Sequence, residues 1–316
     1  MTLQMDPEVA AAMTFLADAA TGTAPPPAGD WQTRRAATDR LISQVTGDWA
    51  PPIDVEVTEF AAVAEDGTMI PMRLYRKSEA SSDSLVVYIH GGGMFFCSID
   101  THDPICRRYT ADSGVPLLSV DFRFAPEHPY PTSVEDCYAA LQWAANHAAD
   151  FAVDPDRIAI MGDSAGGGMA AGVALMARDR GGPTLRSQIL IYPMLDDRTT
   201  VPDPEIEPLA MWSTDDNITG WGCLLGDAAG GDAVPSYAAP AREPDLAGLP
   251  PAYIEVGQLD IFRSEDLRYA ERLSRAGVCV ELHLHPAVPH AFEVFAPKSA
   301  VARRAMADRV RALKNL

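Results

Sequence analysis

The sequence predicts an α/β protein with a mostly parallel central sheet and helices on both faces. From about residue 85 onwards, short apolar runs alternate with longer stretches of helical spacing. The runs are almost continuously apolar, as is typical of strands that a parallel sheet buries on both faces. The 316 residues, 47% of them hydrophobic and 22% charged, supply enough apolar material for one large core.

The first 52 residues precede this alternation and have helical character. An Asp-Pro-Glu sequence at 6–8 provides an N-cap, a first-turn proline and an acidic first turn, which together indicate a helix start. The proline-rich stretch 24–29 interrupts that helix, and a second helical pattern continues to about Ile42. Two prolines within 49–52 break the chain again, so we expect two helices outside the core.

The sheet is predicted to begin with three β-type runs, at 55–60, 69–75 and 85–89. Alternation of strands and helices follows. In chain order the later elements are strand 115–120, helix 133–148, strand 158–161, helix 165–180, strand 188–192, strand 252–256, helix 264–276, strand 279–284, and a final helix with Met306, Val310 and Leu313 on one face.

Residues 195–249 interrupt the alternation and predict an insertion over the edge of the sheet. The stretch is rich in Pro, Asp and Gly, carries Trp212 and Trp221, and has weak helical periodicity. The predicted division of the chain is an N-terminal helical segment 1–52, core residues 53–194, the insertion 195–249, and core residues 250–316.

Charge and cysteine content exclude several classes of partner. A formal net charge of -19 disfavours binding to nucleic acid and to anionic membrane surfaces. No segment approaches the roughly 18 to 20 apolar residues of a membrane span, and the N-terminus is acidic where a signal peptide is basic. Five scattered cysteines fit neither a complete disulfide framework nor a zinc site. We expect a soluble cytoplasmic protein without a metal.

Residues 162–166 read Gly-Asp-Ser-Ala-Gly and match the G-x-S-x-G pattern between an apolar strand and an Ala- and Gly-rich helix. A serine hydroxyl is a poor nucleophile, so it must be held on a tight turn where a base can reach it. The flanking glycines permit that turn. A phosphate-binding loop is the alternative, but residues 162–168 lack both the G-K-[ST] and the G-x-G-x-x-G spacing. Ser164 is therefore the predicted nucleophile.

Residues 90–93 read His-Gly-Gly-Gly directly after a predicted strand. Such a glycine run allows backbone N–H groups to turn toward a developing oxyanion without interference from Cβ atoms. His90 itself is expected to brace this loop rather than to transfer protons.

Three histidines qualify as the base because they follow the serine: His283, His285 and His290. His283 and His285 alternate along a strand-like run, which predicts that they face one side of an edge strand. His290 lies in the loop after that strand, and in enzymes with a G-x-S-x-G motif the base follows the serine and the acid along the chain. We therefore predict His290.

The carboxylate that orients the base is expected in a loop between the serine and the histidine. Asp260 follows strand 252–256 by four residues and fits that position. Glu255 falls inside the strand pattern, whereas Glu265 and Asp266 fall on the helix that follows. Asp260 is therefore the predicted acid.

Together these motifs resemble those of the hormone-sensitive-lipase-like esterases, bacterial family IV of the lipolytic enzymes, over most of the chain. His90–Gly93 matches the family's H-G-G-G, and Gly162–Gly167 reads G-D-S-A-G-G. Asp121–Pro131 resembles the family's D-Y-R-L-A-P-E-H-P-x-P segment, and Pro289–Phe292 resembles its histidine loop. The resemblance implies an α/β-hydrolase fold, hydrolysis of short- to medium-chain acyl esters, and no metal or organic cofactor.

The resemblance also implies an oxyanion hole formed by the N–H groups of Gly92, Gly93 and Ala165. It implies a helical cap built from the N-terminal segment 1–52 and the insertion 195–249. Similar proteins commonly dimerise, which makes a homodimer one candidate assembly.

There are departures from the family's pattern, and two of them change a polar side chain. Phe122 stands where the family has the tyrosine of D-Y-R, which removes a hydroxyl and one structural hydrogen bond. Ser264 stands where the family has the second aspartate of D-P-L-R-D-E, while Asp260 and Glu265 are retained. The second change alters the local support of the acid loop.

Three functional questions stay open at the level of sequence. An amidase, carbamate hydrolase or thioesterase would use the same three residues with a differently shaped pocket. A non-catalytic small-molecule receptor would reuse the fold, although retention of Ser164, Asp260 and His290 argues against it. The apolar side chains of Met94, Phe95, Phe96 and Trp212 could shape a substrate pocket or simply pack under the cap.

Overall fold

The computed structural model describes residues 3–20, 25–46, 52, 54–78 and 82–316. Within these residues the strands form one sheet of eight. In chain order the strands are β1 (Val55–Val63), β2 (Met69–Lys77), β3 (Leu85–Ile89), β4 (Leu117–Val120), β5 (Ile158–Asp163), β6 (Ser187–Ile191), β7 (Ala252–Gly257) and β8 (Val280–His285).

The sheet has the spatial order β1-β2-β4-β3-β5-β6-β7-β8. β1 and β2 pair antiparallel, and β2 also pairs antiparallel with β4. All the pairings from β4 through β8 are parallel. The predicted mostly parallel α/β sheet is confirmed.

The α-helices fall between and around these strands. They are α1 (Pro7–Ala20), α2 (Trp31–Thr46), α3 (Asp103–Ser113), α4 (Thr132–Asn146), α5 (Ala165–Arg180), α6 (Thr214–Leu225), α7 (Arg263–Arg275), α8 (Phe292–Phe295) and α9 (Ala300–Lys314). Most predicted bounds differ from these by one to three residues, and those of β3 and α5 coincide with the prediction.

Two apolar clusters cover the two faces of the sheet, and β3 shows why its sequence is apolar throughout. Val87 packs into the cluster that contains residues of α4, α5 and α7. Its neighbours Val86 and Tyr88 point the other way, into the cluster with residues of α3 and α9. Because alternate side chains of a strand point to opposite faces, a strand covered on both sides needs apolar residues at every position.

Helix α3 was not predicted from the sequence. Its buried side chains are Cys106, Tyr109 and Thr110, a narrow stripe on an otherwise charged and polar helix. Such a stripe gives a weak helical signal because few positions are apolar. The predicted strand 115–120 begins later, at Leu117, after a proline that can accept but not donate a ladder hydrogen bond.

One helix of the N-terminal segment contacts one helix of the insertion. Helix α2 packs against α6, which is the α-helix of residues 195–249. Ser213 caps α6 by accepting from the Asp216 N–H, and the Asp216 carboxylate accepts from the Ser213 N–H in return. The predicted break at 49–52 falls on residues of which only Pro52 is described, and residue 24 of the proline-rich stretch also lies outside the described residues.

Parallel strands place their carboxyl ends at one edge of the sheet. Ser164 follows β5, and the loops with Asp260 and His290 follow β7 and β8. The glycine run after β3 ends at the same edge, so the predicted functional residues converge there. Helices long and apolar enough to cross a lipid bilayer do not occur in the part of the chain that the structure describes.

Candidate active site

Ser164, His290 and Asp260 form one hydrogen-bonded series at the carboxyl edge of the sheet. The Ser164 Oγ lies 2.9 Å from the His290 Nε2, and the His290 Nδ1 lies 2.6 Å from the Asp260 Oδ2. The serine and the histidine are 6% and 7% exposed, while Asp260 is fully buried. The fold thus brings together the three side chains that the sequence singled out.

A strained turn presents the serine. Ser164 has φ 55° and ψ -122°, values that a residue with a side chain rarely adopts, and helix α5 begins at the next residue. The turn is tight because a Cβ atom at Gly162 would lie 2.3 Å from the Gly166 oxygen. A Cβ at Gly166 would lie 2.0 Å from the Ile89 oxygen of β3. Only glycine fits these two positions, which explains the flanking glycines of the motif.

The Asp260 loop is stabilised by its own backbone. The Asp260 Oδ1 accepts from the Phe262 N–H at 3.0 Å, and the Arg263 N–H donates to the Asp260 carbonyl at 3.1 Å. Oδ2 remains directed at His290. These bonds do not involve Ser264, so the loop is closed without the family's second aspartate.

The glycine loop lies opposite the elbow. Gly92 has φ +117°, and a Cβ there would lie 2.1 Å from the Phe96 oxygen. Gly93 has φ +55°, in the left-handed region as well. Ala165 is the first residue of α5, where helical N–H groups have no partner within the helix. The N–H groups of Gly92, Gly93 and Ala165 donate to no acceptor among the described residues, which leaves them free for a ligand oxygen.

Asp163 ties the elbow to the glycine loop. Its Oδ1 accepts from the Tyr88 hydroxyl at 2.5 Å and from the Gly91 N–H at 3.2 Å. Its Oδ2 lies 3.4 Å from the His102 Nε2. Burial disfavours the charged form, but the contacts with His102 and Tyr88 outweigh it and lower the pKa of Asp163 to about 2. A charged carboxylate therefore holds the loop near neutral pH.

His90 packs beneath the loop, as expected of a bracing residue. Its Nδ1 lies 2.7 Å from the Gly91 carbonyl oxygen, and its ring stacks on Phe122 with centroids 4.4 Å apart. Burial, together with nearby His102, lowers the pKa of His90 to about 3, so the ring is neutral near pH 7. The His90 Nε2 has no hydrogen-bond partner among the described residues.

The competing histidines lie on the edge strand β8. The His283 Nε2 is 2.6 Å from the Glu281 Oε1 on the same strand. The His285 Nε2 is 3.6 Å from Glu255 Oε2. Glu255 in turn lies on β7, where its carboxylate contacts Arg309 rather than His290.

The other two competing carboxylates are buried on α7. The Glu265 Oε1 accepts from the N–H groups of Leu195 and Asp196, at 2.7 and 3.1 Å. Burial, which the charge of Asp196 reinforces, outweighs these hydrogen bonds and raises the pKa of Glu265 to about 8. Burial also raises the pKa of Asp266 well above its usual range, and neither of its oxygens has a partner among the described residues.

The raised pKa of Glu265 predicts a pH-dependent stability. In the unfolded chain this group ionises near pH 4.5, and in the folded protein near pH 8, so its burial destabilises the fold progressively between these values. Glu265→Gln keeps the shape of the neutral form. Relative to wild type, its free energy of unfolding should rise by up to about 1.4 kcal/mol per pH unit across that window. Urea unfolding at pH 5, 6, 7 and 8 measures this difference.

Glu271→Gln on the same helix is the control, because Glu271 is exposed. Its difference from wild type should not vary with pH in this way. A difference for Glu265→Gln that is the same at all four pH values would contradict the assignment of a neutral carboxyl.

A cavity of about 190 Å³ opens in front of Ser164 and His290. Helix α2, the glycine loop, the insertion and the region around α8 supply part of its wall. Residues of β3, residues in and next to α3, and residues at the carboxyl ends of β5 and β6 supply the rest. Among the apolar residues discussed above, Phe95, Phe96 and Trp212 line the cavity, whereas Met94 packs in the core. Further lining residues are Arg34, Thr38, Leu41, Tyr109, Tyr192, Glu293 and Val294.

Sequence reasoning missed the contributions of His102 and Tyr192. His102 precedes the unpredicted helix α3 and contacts Asp163, while the Tyr192 ring packs edge-on against His290 with centroids 4.5 Å apart. Tyr192 directly follows β6 at the carboxyl edge of the sheet, and that position was the available signal. Groups of three or more His, Cys, Asp or Glu side chains arranged to hold a metal ion are absent from the described residues.

A mostly parallel sheet with a serine elbow after β5, a histidine loop after β8 and a carboxylate loop after β7 defines the class of α/β hydrolases. Comparison with known proteins gives the family. Residues 86–294 match the alpha/beta hydrolase fold family. Carboxylesterase NlhH of Mycobacterium tuberculosis is 39% identical over 266 residues, and the match covers 81% of this chain and 82% of that protein.

Solved structures agree with this match. A bacterial heroin esterase has a TM-score of 0.90 at 35% identity, over 99% of this chain and 98% of that chain. An esterase of the archaeon Pyrobaculum calidifontis has a TM-score of 0.85 at 32% identity, over 99% of both chains. The chain belongs to the alpha/beta hydrolase fold family, in its hormone-sensitive-lipase-like branch, and is a carboxylic ester hydrolase. The cytoplasmic location and the homodimer stay predictions.

Proposed function

We propose that this carboxylesterase hydrolyses short- to medium-chain acyl esters with Ser164 as nucleophile, His290 as general base and Asp260 as the orienting acid. The hydrogen-bonded series from Asp260 through His290 to Ser164 carries the proposal. Its two distances, 2.6 and 2.9 Å, lie within the reach that proton transfer requires.

In the acylation step, Ser164 attacks the ester carbonyl while His290 takes its proton at Nε2. Asp260 accepts from Nδ1, fixes the tautomer and stabilises the imidazolium that forms. The carbonyl oxygen becomes an oxyanion and receives hydrogen bonds from the N–H groups of Gly92, Gly93 and Ala165. Collapse of the tetrahedral intermediate expels the alcohol, which takes the proton from His290.

In the deacylation step, water replaces the alcohol. His290 removes a proton from the water, which attacks the acyl-enzyme carbonyl, and the same N–H groups stabilise the second oxyanion. The carboxylic acid leaves when Ser164 regains its proton from His290. A serine held at φ 55° next to the start of α5 is already positioned for both steps.

The size and chemistry of the cavity support small acyl groups. Its volume of about 190 Å³ is smaller than the roughly 300 to 1,000 Å³ that is typical of pockets for drug-sized ligands. Phe95, Phe96 and Trp212 give it apolar walls close to the serine. An acyl chain of a few carbons fills such a space, whereas a long chain must extend beyond it.

The same evidence supports a cap made of residues 1–52 and 195–249 over a core of 53–194 and 250–316. Arg34 of α2 forms an ion pair with Asp216 of α6, and both residues line the cavity. The Gly29 N–H donates to the Thr219 hydroxyl at 2.9 Å, which joins the two segments again. The cap therefore determines which esters reach Ser164.

The proposal predicts how turnover depends on acyl length. Hydrolysis of p-nitrophenyl esters from acetyl to palmitoyl should be fastest at short or medium chains and fall steeply beyond them, because the cavity stops accommodating added methylenes. Steady-state kcat/KM across the series is the measurement. Fastest turnover of the palmitoyl ester would contradict the size argument, and no turnover of any ester by folded protein would contradict the proposed function.

A further inference from the structure

A buried charge cluster lies behind the His290 ring, and the proposed mechanism leaves it unused. It consists of Glu255 on β7, Glu293 on α8 and Arg309 on α9. The Arg309 Nη2 is 2.5 Å from Glu255 Oε1, and its Nη1 is 2.7 Å from Glu293 Oε1. All three side chains are nearly inaccessible, with exposures of 0 to 6%.

Such a cluster is poorly explained as a source of stability. Removing charges from water costs about as much as their pairing returns, so apolar residues of similar volume would serve the fold as well. Burial disfavours the charge on Glu255, but Arg309 and His285 outweigh it and lower the pKa of Glu255 to about 2. Two carboxylates share one guanidinium, which gives the buried charge cluster a net negative charge.

Tyr192 connects the buried charge cluster to the catalytic histidine. Its hydroxyl donates to Glu293 Oε1 at 2.6 Å, and the Arg309 guanidinium carbon lies 5.7 Å from its ring centroid. The Tyr192 ring also packs edge-on against the His290 ring, with centroids 4.5 Å apart. Phe262 packs edge-on against the imidazole as well, at 5.3 Å.

The backbone of Tyr192 is strained, which is typical of residues that serve a site. Its φ is +35°, an unfavourable value for an aromatic residue. Its N–H donates to the Glu255 carbonyl at 2.6 Å, so β7 holds the strained residue in place. The ring orientation is then determined by the hydroxyl bond to Glu293, because rotation about the side chain would break it.

Other titratable groups surround the buried charge cluster. The Tyr109 hydroxyl of α3 accepts from Arg309 Nη1 at 3.0 Å, and the Tyr253 hydroxyl of β7 donates to Glu255 Oε2 at 2.6 Å. The His285 Nε2 of β8 lies 3.6 Å from that same oxygen. Asp260 contacts His290 from its other side. Within the described residues the Glu293 Oε2 has no hydrogen-bond partner, which leaves its charge only partly compensated.

We propose that Tyr192 and Glu293 are positioning residues for His290, an inference that rests on the proposed function. Glu293 holds the Tyr192 ring against the imidazole. The Tyr192 ring in turn keeps the His290 Nε2 directed at Ser164. The net negative charge of the buried charge cluster favours the imidazolium that forms when Ser164 attacks.

Two variants separate position from charge, and the rate of Ser164 modification by a fluorophosphonate is the readout. In that reaction the serine oxygen bonds to phosphorus, fluoride leaves, and the serine proton passes to His290, so no particular ester is required. Tyr192→Phe removes only the hydroxyl bond and should lower the plateau rate about tenfold. Glu293→Gln can still accept from Tyr192 but lacks the charge, and the acid limb of its rate profile should move about half a unit to lower pH.

Glu281→Gln is the matched control, a half-exposed glutamate on β8 that pairs with Arg311. Its labelling profile should equal that of wild type. Tyr192→Phe preserves the ring and its volume, so its rate alone decides the question if Glu293→Gln fails to fold. A lower thermal midpoint with an unchanged labelling profile in both variants would mean a purely structural role and would overturn the inference. Absence of labelling in wild type would instead overturn the serine mechanism, and this inference with it.

Discussion

Ser164→Ala is expected to lower kcat for p-nitrophenyl esters about 10⁵- to 10⁶-fold, with His290→Ala close to it. The two residues act as one unit, because the histidine has no proton to accept without the hydroxyl and the hydroxyl has no base without the histidine. The double variant should be hardly slower than either single one. Initial rates with the ester that wild type hydrolyses fastest measure all three proteins.

Ser187→Ala is the matched control, a serine at the start of β6 whose hydroxyl donates to the Pro251 carbonyl. It should keep wild-type kcat. Circular dichroism and a thermal melt establish that each variant is folded. More than a few per cent of wild-type turnover in folded Ser164→Ala would eliminate this residue as the nucleophile.

Asp260→Asn is expected to lower kcat about 10⁴-fold. The carboxylate accepts from the His290 Nδ1 at 2.6 Å, which leaves Nε2 free to take the serine proton. An amide that presents its NH₂ group to Nδ1 stabilises the opposite tautomer and carries no charge to stabilise the imidazolium. The other oxygen of Asp260 accepts from the Phe262 N–H, so the loop itself can be retained in the variant.

Asp266→Asn is a demanding control for this prediction. Asp266 is as deeply buried as Asp260 and lies only six positions further along the chain. Burial raises its pKa well above its usual range, which favours the neutral form that asparagine closely mimics. Its kcat should stay within about twofold of wild type. Equal losses in the two variants would mean that either substitution acts by disturbing the loop, and Asp260 would no longer be assigned as the acid.

The carboxylates near the histidine show which features local sequence predicts and which depend on tertiary contacts. Asp260 could be preferred over Glu255, Glu265 and Asp266 because a loop after a strand differs in sequence from a strand or a helix. The surroundings of the three rejected carboxylates could not be predicted from local sequence. Glu255 pairs with buried Arg309, and Glu265 accepts from the Leu195 N–H, across 54 and 70 positions of the chain. Asp266 is buried on α7 without a hydrogen-bond partner among the described residues.

By itself the sequence determined the α/β class, the family resemblance, and the three residues of the hydrogen-bonded series. These depend on short-range patterns: the spacing of apolar residues, the glycines that a tight turn requires, and the order of the loops after parallel strands. Helix α3 was not predicted because its apolar stripe is narrow. The 190 Å³ cavity was not predicted because residues from several distant segments of the chain line it.

Only the tertiary structure decided that Tyr192 lies against His290 and that Glu293 holds it there. The two residues of that hydrogen bond are 101 positions apart in the chain, and Arg309 reaches Glu255 across 54. No local sequence motif marks any of these residues. Their function depends on the residues that the fold packs next to them, because a buried polar group is usually hydrogen-bonded to a neighbour in the packed structure and not in the sequence.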